Sequence, residues 1–98
     1  EWVALELERA RPVSGVTLYP RTDTGKAGMG FPIDFAIQTW DGAAWVDRVT
    51  RTAFPRPDAP QTFTFTPVTT SKIRILGTRL ESVPADDYVM QFAEISVL

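Results

Sequence analysis

The chain has 98 residues, 44% of them hydrophobic and 22% charged, a composition that fits one globular domain and leaves no room for a second core. Ten basic and twelve acidic residues give a net charge of -2 and are spread along the chain. No lysine/arginine cluster is therefore present to track a phosphate backbone or hold an anionic membrane surface, and both nucleic acid and a polybasic membrane contact are excluded as partners. The absence of cysteine, histidine and asparagine excludes disulfides, thiol chemistry, Ser-His-Asp and Cys-His catalysis, histidine-ligated zinc and N-glycosylation acceptors.

The hydrophobic period is two from the first residues onward. In "EWVALEL", Val3, Leu5 and Leu7 alternate with Ala4 and Glu6, which predicts a half-buried strand. A strand starting so early, with no methionine before it, reads as a piece of something longer. "RPVSGVTLYP" places Val16 and Leu18 on one face and Thr17 and Tyr19 on the other. The glycine-rich loop "RTDTGKAGMG" runs to Phe31-Pro32, and then Ile33, Phe35 and Ile37 alternate with Asp34, Ala36 and Gln38 as a further strand.

Asp41-Gly42 is a turn signal, since both residues tolerate positive φ, and "WVDRVT" returns as the partner strand. "AFPRPDAP" holds three prolines in eight residues and must be a loop, because proline cannot donate to a ladder. "QTFTFTPV" and "SKIRILGTRL" supply two strands, with Phe63/Phe65 and Ile73/Ile75 each on one face. After "ESVPADD", the run "YVMQFAEISVL" closes the chain as a last strand. Trp2 and Trp45 fall on strand positions expected to serve the core, and Trp40 precedes the turn in a structural role. The pattern predicts about seven short strands with no helix, an all-β antiparallel sandwich of the jelly-roll or immunoglobulin type.

Four segments in this order, "WVALELERARPVSGVTLYPR", "GFPIDFAIQTWDGAAW", "KIRILGTRL" and "YVMQFAEISVL", resemble the discoidin domains, also called coagulation factor 5/8 type C domains. The "DG…W" hairpin and the terminal "AEISV" are the most specific parts, and "LYPR…GFPIDF" looks most like the bacterial carbohydrate-binding modules of that family. The resemblance covers the whole chain as a single domain, residues 1–98, and implies a galactose-binding-like jelly roll. It also implies a further N-terminal portion, which would make this the C-terminal part of a larger domain or protein. Lys72-Ile73 stands where the family often has Tyr-Val, a change that keeps the apolar position.

The resemblance implies a non-catalytic module of a bacterial secreted protein, probing sugars with loops at one end of the sandwich and appended to a glycoside hydrolase. Arg21 lies in the ligand-facing loop; its planar fork of donors can bridge neighbouring sugar hydroxyls, or it can pair locally with Asp23 or Asp34. Asp23 and, at the end of the same loop, Phe31 join the expected ligand-binding set. Asp86, Asp87 and Tyr88 precede the last strand at the same end, offering hydroxyl acceptors and an aromatic face, although paired aspartates in a loop also read as a solvated turn. Glu94 stands near the family's structural calcium, an ion that needs six to eight oxygens, several of which the family draws from the N-terminal portion.

Other chemistries fit the residues less well. "GKAGMG" is followed by Pro32 and a strand rather than by a helix N-terminus, so it is a loop and not a phosphate cradle. Asp86 and Asp87 are adjacent and diverge, whereas glycosidase carboxylates face each other across a cleft, so no enzyme activity is expected. A structural accessory domain packed on a catalytic neighbour is the main alternative to sugar binding. Attachment to a phospholipid surface comes third, since Met29 and Phe31 are the only apolar loop-tip candidates.

Overall fold

The computed structural model describes residues 1–22, 25, 27–82 and 88–98, with residues 81, 82, 88 and 89 described through their backbone. The strands are β1 (Trp2–Tyr19), β2 (Asp34–Trp40), β3 (Trp45–Arg51), β4 (Gln61–Arg79), β5 (Glu81–Ser82), β6 (Tyr88–Val89) and β7 (Glu94–Val97). No helix occurs among the described residues. A five-stranded antiparallel sheet runs β3-β2-β4-β1-β7, and β5 pairs with β6 as a separate two-stranded ribbon.

The alternating runs are strands, but they join differently from the expectation. The first two predicted strands form one strand of 18 residues, β1, and the two predicted from "QTFTFTPV" and "SKIRILGTRL" form one of 19, β4. Both pass through segments that carry proline. The β1/β4 register shifts between Glu6 and Arg11 and again between Val13 and Gly15, opposite Val68 and Thr64. Pro67 falls inside the second shift, where no ladder donor is required of it. Pro12 stands opposite Thr69, on a stretch of β1 whose other edge has no partner strand among the described residues, since β7 pairs with residues 16–19 and Leu98 reaches back only to Gly15 and Ser14. The closing run divides into β6 and β7, separated by an irregular segment at residues 90–93.

These shifts make the long ribbon belong to two half-sheets. Its first half, residues 2–6 on residues 72–76, continues into β2 and β3. Its second half, residues 11–18 on residues 61–70, continues into β7. Val13, Val16, Leu18 and Phe63 from one half share a buried cluster with Phe35, Ile37, Ile73 and Ile75 from the other. The two halves therefore face each other across one core, as a sandwich.

Phe31 is part of this core. It is 3% exposed and meets Phe35, Phe54 and Phe92 at centroid distances of 5.9, 5.6 and 5.4 Å. Such ring contacts contribute about 0.5–1.5 kcal/mol each beyond simple burial. The expectation that Phe31 meets a ligand is corrected: no ring face is left for a sugar, nor for insertion into a lipid surface. Trp2 moves the opposite way and is 58% exposed, not core. Its register partner is Leu76, whereas Val3 and Leu5 stand opposite the buried Ile75 and Ile73, so alternation turns Trp2 outward.

The β2–β3 turn forms at Asp41-Gly42 as expected, but Asp41 does not use the positive φ that the dipeptide allows. Trp40 pairs with Trp45, leaving four residues between them, and Asp41 N donates to Ala44 O at 3.1 Å. Only Gly42 has a positive φ there, 101°. Asp41 works through its side chain, whose Oδ1 accepts from the backbone N–H of both Ala43 and Ala44 at 2.8 Å.

Candidate functional site

A concavity of about 710 Å³ opens where the first half of β1 and the segment ahead of β7 part from each other. That volume lies within the roughly 300–1,000 Å³ of small-ligand sites. Val3 and Leu5 of β1 form one wall, with Met90, Phe92 and Ile95 opposite, and Arg21, Gln91 and Glu94 supply the polar groups. The walls exist because the first half of β1 pairs with β4 along one edge and, among the described residues, with no strand along the other, so inward-turned Val3 and Leu5 remain half-buried.

Arg21 follows β1 after Pro20 and is half-buried. Its Nη1 donates to Gln91 Oε1 at 2.7 Å. Both ends of this pair are anchored through backbone: Gly28 N donates to Arg21 O, and Gln91 N donates to Gly30 O, each at 2.8 Å. The loop after β1 and the segment before β7 are thus clamped together across 70 residues of sequence. Ala93 N donates to Tyr19 O at 2.8 Å and sets the start of β7, where Glu94 pairs with Tyr19.

Of the residues expected to bind, Arg21 and Glu94 meet in this cleft. Asp34, one expected local partner of Arg21, instead accepts from Ala53 N at 2.8 Å. Asp23, Asp86 and Asp87 lie outside the described residues, and Tyr88 is described only as the backbone of β6, opposite Ser82. Gln91 and the apolar walls were not anticipated. The strand alternation assumed across residues 88–98 hid the irregular segment that turns Gln91 towards Arg21.

Glu94 is exposed, and no group of three carboxylates, or of other side chains suited to a metal, comes together among the described residues. What the cleft offers is a guanidinium, an amide and a carboxylate above apolar walls. These are donors and acceptors for hydroxyl groups beside a surface for C–H groups.

No protein-family model matches the sequence, and no curated protein matches it. Solved structures share the fold. A CBM32 module from Clostridium perfringens in complex with GalNAc-β-1,3-galactose superposes with a TM-score of 0.76 at 18% identity, covering 98% of this chain and 63% of that one. The family 32 CBM of C. perfringens NanJ in complex with galactose gives 0.75 at 22% identity, covering 98% and 64%. The CBM32 of AlyQ in complex with 4,5-unsaturated mannuronic acid gives 0.73 at 20% identity, covering 99% and 69%. The chain spans just under two thirds of the length of the two clostridial modules, and its fold is that of these sandwiches.

Proposed function

We propose that the chain acts as a non-catalytic carbohydrate-binding module of a secreted bacterial protein, holding a sugar in the cleft of Arg21, Gln91 and Glu94. The observation that carries this reading is the Arg21–Gln91 hydrogen bond across the mouth of a half-apolar cleft. Gln91 accepts from one guanidinium nitrogen and so fixes the plane of the fork. The planar guanidinium suits adjacent hydroxyls of a pyranose. Glu94 accepts hydroxyl hydrogens, and Met90 with Phe92 covers the C–H face of the ring. The ligands of the modules that share the fold, from galactose to an unsaturated uronic acid, support the class of ligand. Millimolar affinity, about 4 kcal/mol, is expected, since one sugar buries little surface. Appended to an enzyme, such a module raises the effective concentration of substrate at the catalytic domain.

The test is a calorimetric titration of galactose and mannuronate oligomers into the chain and into Arg21→Ala and Arg21→Lys. Arg21→Ala abolishes detectable binding, and Arg21→Lys retains little because an ammonium lacks the fork. Equal binding by all three proteins, or no binding of any sugar at millimolar concentration, would sink the proposal. A second reading is favoured by the walls themselves: Val3 and Leu5 are apolar and half-buried along an open strand edge, as expected of a surface that packs against a neighbouring domain. On that reading the chain is a structural accessory domain, and no free sugar binds.

A further inference from the structure

A second concavity, of about 300 Å³, lies on the outward face of the first half-sheet, and its lining includes Trp2, Ala4, Glu6, Trp45, Lys72 and Arg74. The register brings these residues together. Ala4 stands opposite Arg74 and Glu6 opposite Lys72, while Gln38 stands opposite both Arg74 and Asp47. All alternate with the inward Ile73 and Ile75, so they share the face turned away from the core.

Arg74 is laid across this face between two indoles. Its guanidinium carbon lies 4.5 Å from the Trp45 centroid and 5.9 Å from that of Trp2. Its Nε donates to Gln38 Oε1 at 2.8 Å, and Gln38 Nε2 donates to Asp47 Oδ1 at 2.7 Å. Lys72 Nζ lies 5.6 Å from the Trp40 centroid, and Trp40 meets Trp45 edge-on at 5.4 Å. Ring faces hold both cations in place. Among the described residues, neither cation forms an ion pair, and Arg74's terminal nitrogens have no hydrogen-bond acceptor. Ala4, the small residue in Arg74's row, leaves the space above the guanidinium open, beside the 58% exposed Trp2.

Three features define what fits. The exposed indole of Trp2 offers a flat surface for the C–H face of a pyranose. Two oriented cations, on a chain whose net charge is -2, select an anion against the overall field. The guanidinium edge matches a carboxylate. We propose that this face is a second binding site, for chains of uronic-acid sugars, with a ring stacked on Trp2 and carboxylates paired to Arg74 and Lys72. It shares with the proposed function only the class of ligand and uses neither Arg21 nor Gln91. A flat strand face accommodates the middle of a polymer, whereas the cleft accommodates an end or a single residue.

The test is a titration of a galacturonic-acid hexamer, and of a neutral galactose hexamer, into the intact chain and its variants. Trp2→Ala and Lys72→Ala are chosen because neither side chain belongs to the core. Each is expected to weaken the acidic hexamer about five- to ten-fold, and raising the salt from about 0.05 to about 0.5 M weakens it further. Arg21→Ala leaves at least part of the acidic binding in place, still sensitive to Trp2→Ala. Acidic binding that ignores both face variants overturns the proposal, as does its complete loss in Arg21→Ala, which would assign all binding to the cleft. A concentration-dependent dimer that Trp2→Ala converts to monomer would also overturn it, making a second copy the occupant. Loss of neutral-sugar binding in Arg21→Ala, with acidic binding retained, separates the fate of this proposal from that of the cleft.

Discussion

The two halves of the β1/β4 ribbon have the same alternation but different fates. Around its second half, β7 completes the sheet on β1, and Val13, Val16 and Leu18 are fully buried. Around its first half, Val3 and Leu5 point inward beside Ile75 and Ile73, yet stay half-exposed as the wall of the cleft. Parity decides which way a side chain points; the element that covers it decides whether it becomes core or binding surface. The aromatic cluster draws the same line, since Phe35 meets Phe54 and Phe63 at 5.5 and 5.6 Å in the closed region, while Phe92 continues from that cluster into the cleft wall.

Truncations on the two sides of this line test it most directly. Ile75 is fully buried, and Ile75→Ala should cost about 2–5 kcal/mol, combining lost transfer energy with an unfilled cavity. Leu5, one strand away and on the same face, should cost no more than about 1 kcal/mol as Leu5→Ala, because solvent already reaches it. Urea melts of both variants measure the contrast. Equal losses would mean that Leu5 is as fully covered in solution as Ile75, and the distinction between core and cleft would collapse.

A smaller effect is expected where the closed region anchors the site. Gly28 has φ 73° and donates from its N–H to Arg21 O. A Cβ there would run into the carbonyl oxygen of Pro57 and lie 2.5 Å from Arg56 Cγ. Gly28→Ala should therefore cost about 1–3 kcal/mol in strain. It should also weaken sugar binding, because the loop that carries Arg21 must move. A melting curve and a titration on the same sample sharpen the comparison. Lost stability with unchanged affinity would mean that Arg21 is positioned by Gln91 alone.

The fold was legible where alternation is clean and both faces are defined. Phe35/Ile37 and Ile73/Ile75 read as core and are buried. The continuity of β1 and β4 was not legible, because Pro12 and Pro67 signal strand ends by local chemistry. Only the register shifts and the unpartnered edge make them tolerable inside a strand. Trp2 could have been placed outside from its parity with Val3 and Leu5; the size of an indole argued for the core, and parity prevailed. Of the cleft's polar lining, Arg21 was named from the resemblance, but its partner Gln91 depends on an irregular segment fixed by Gly30 and Tyr19, whose pairings are remote in sequence. Pro32 and Phe31 closed the glycine loop as expected, yet nothing local says that Phe31 turns inward to meet Phe92.

The smallest effect belongs to the β2–β3 turn, which lies outside both the core and the cleft. Backbone N–H groups of Ala44 and Ala43 donate to the Asp41 carboxylate and, with a contribution from Arg48, hold its pKa below the ordinary value of 3.8. Because these donors favour the charged form in the folded state, the stabilisation is fully present above that ordinary value. It is lost as pH falls through the lowered folded one. Asp41→Asn keeps an acceptor oxygen but removes the charge, so the wild-type advantage in melting temperature should be small at about pH 6 and shrink at about pH 2. Asp41→Ala should melt lower than Asp41→Asn, since it leaves the two N–H groups to water and removes the lock on the four-residue loop. Because Trp45 begins β3 directly after this loop and carries Arg74 on its ring, the same variants should leave binding at the cleft untouched. Any change should fall on the acidic-oligomer titration at the outward face. A shift at the cleft instead would mean that the turn is coupled to Arg21 through the body of the sheet, and that the two sites are not independent.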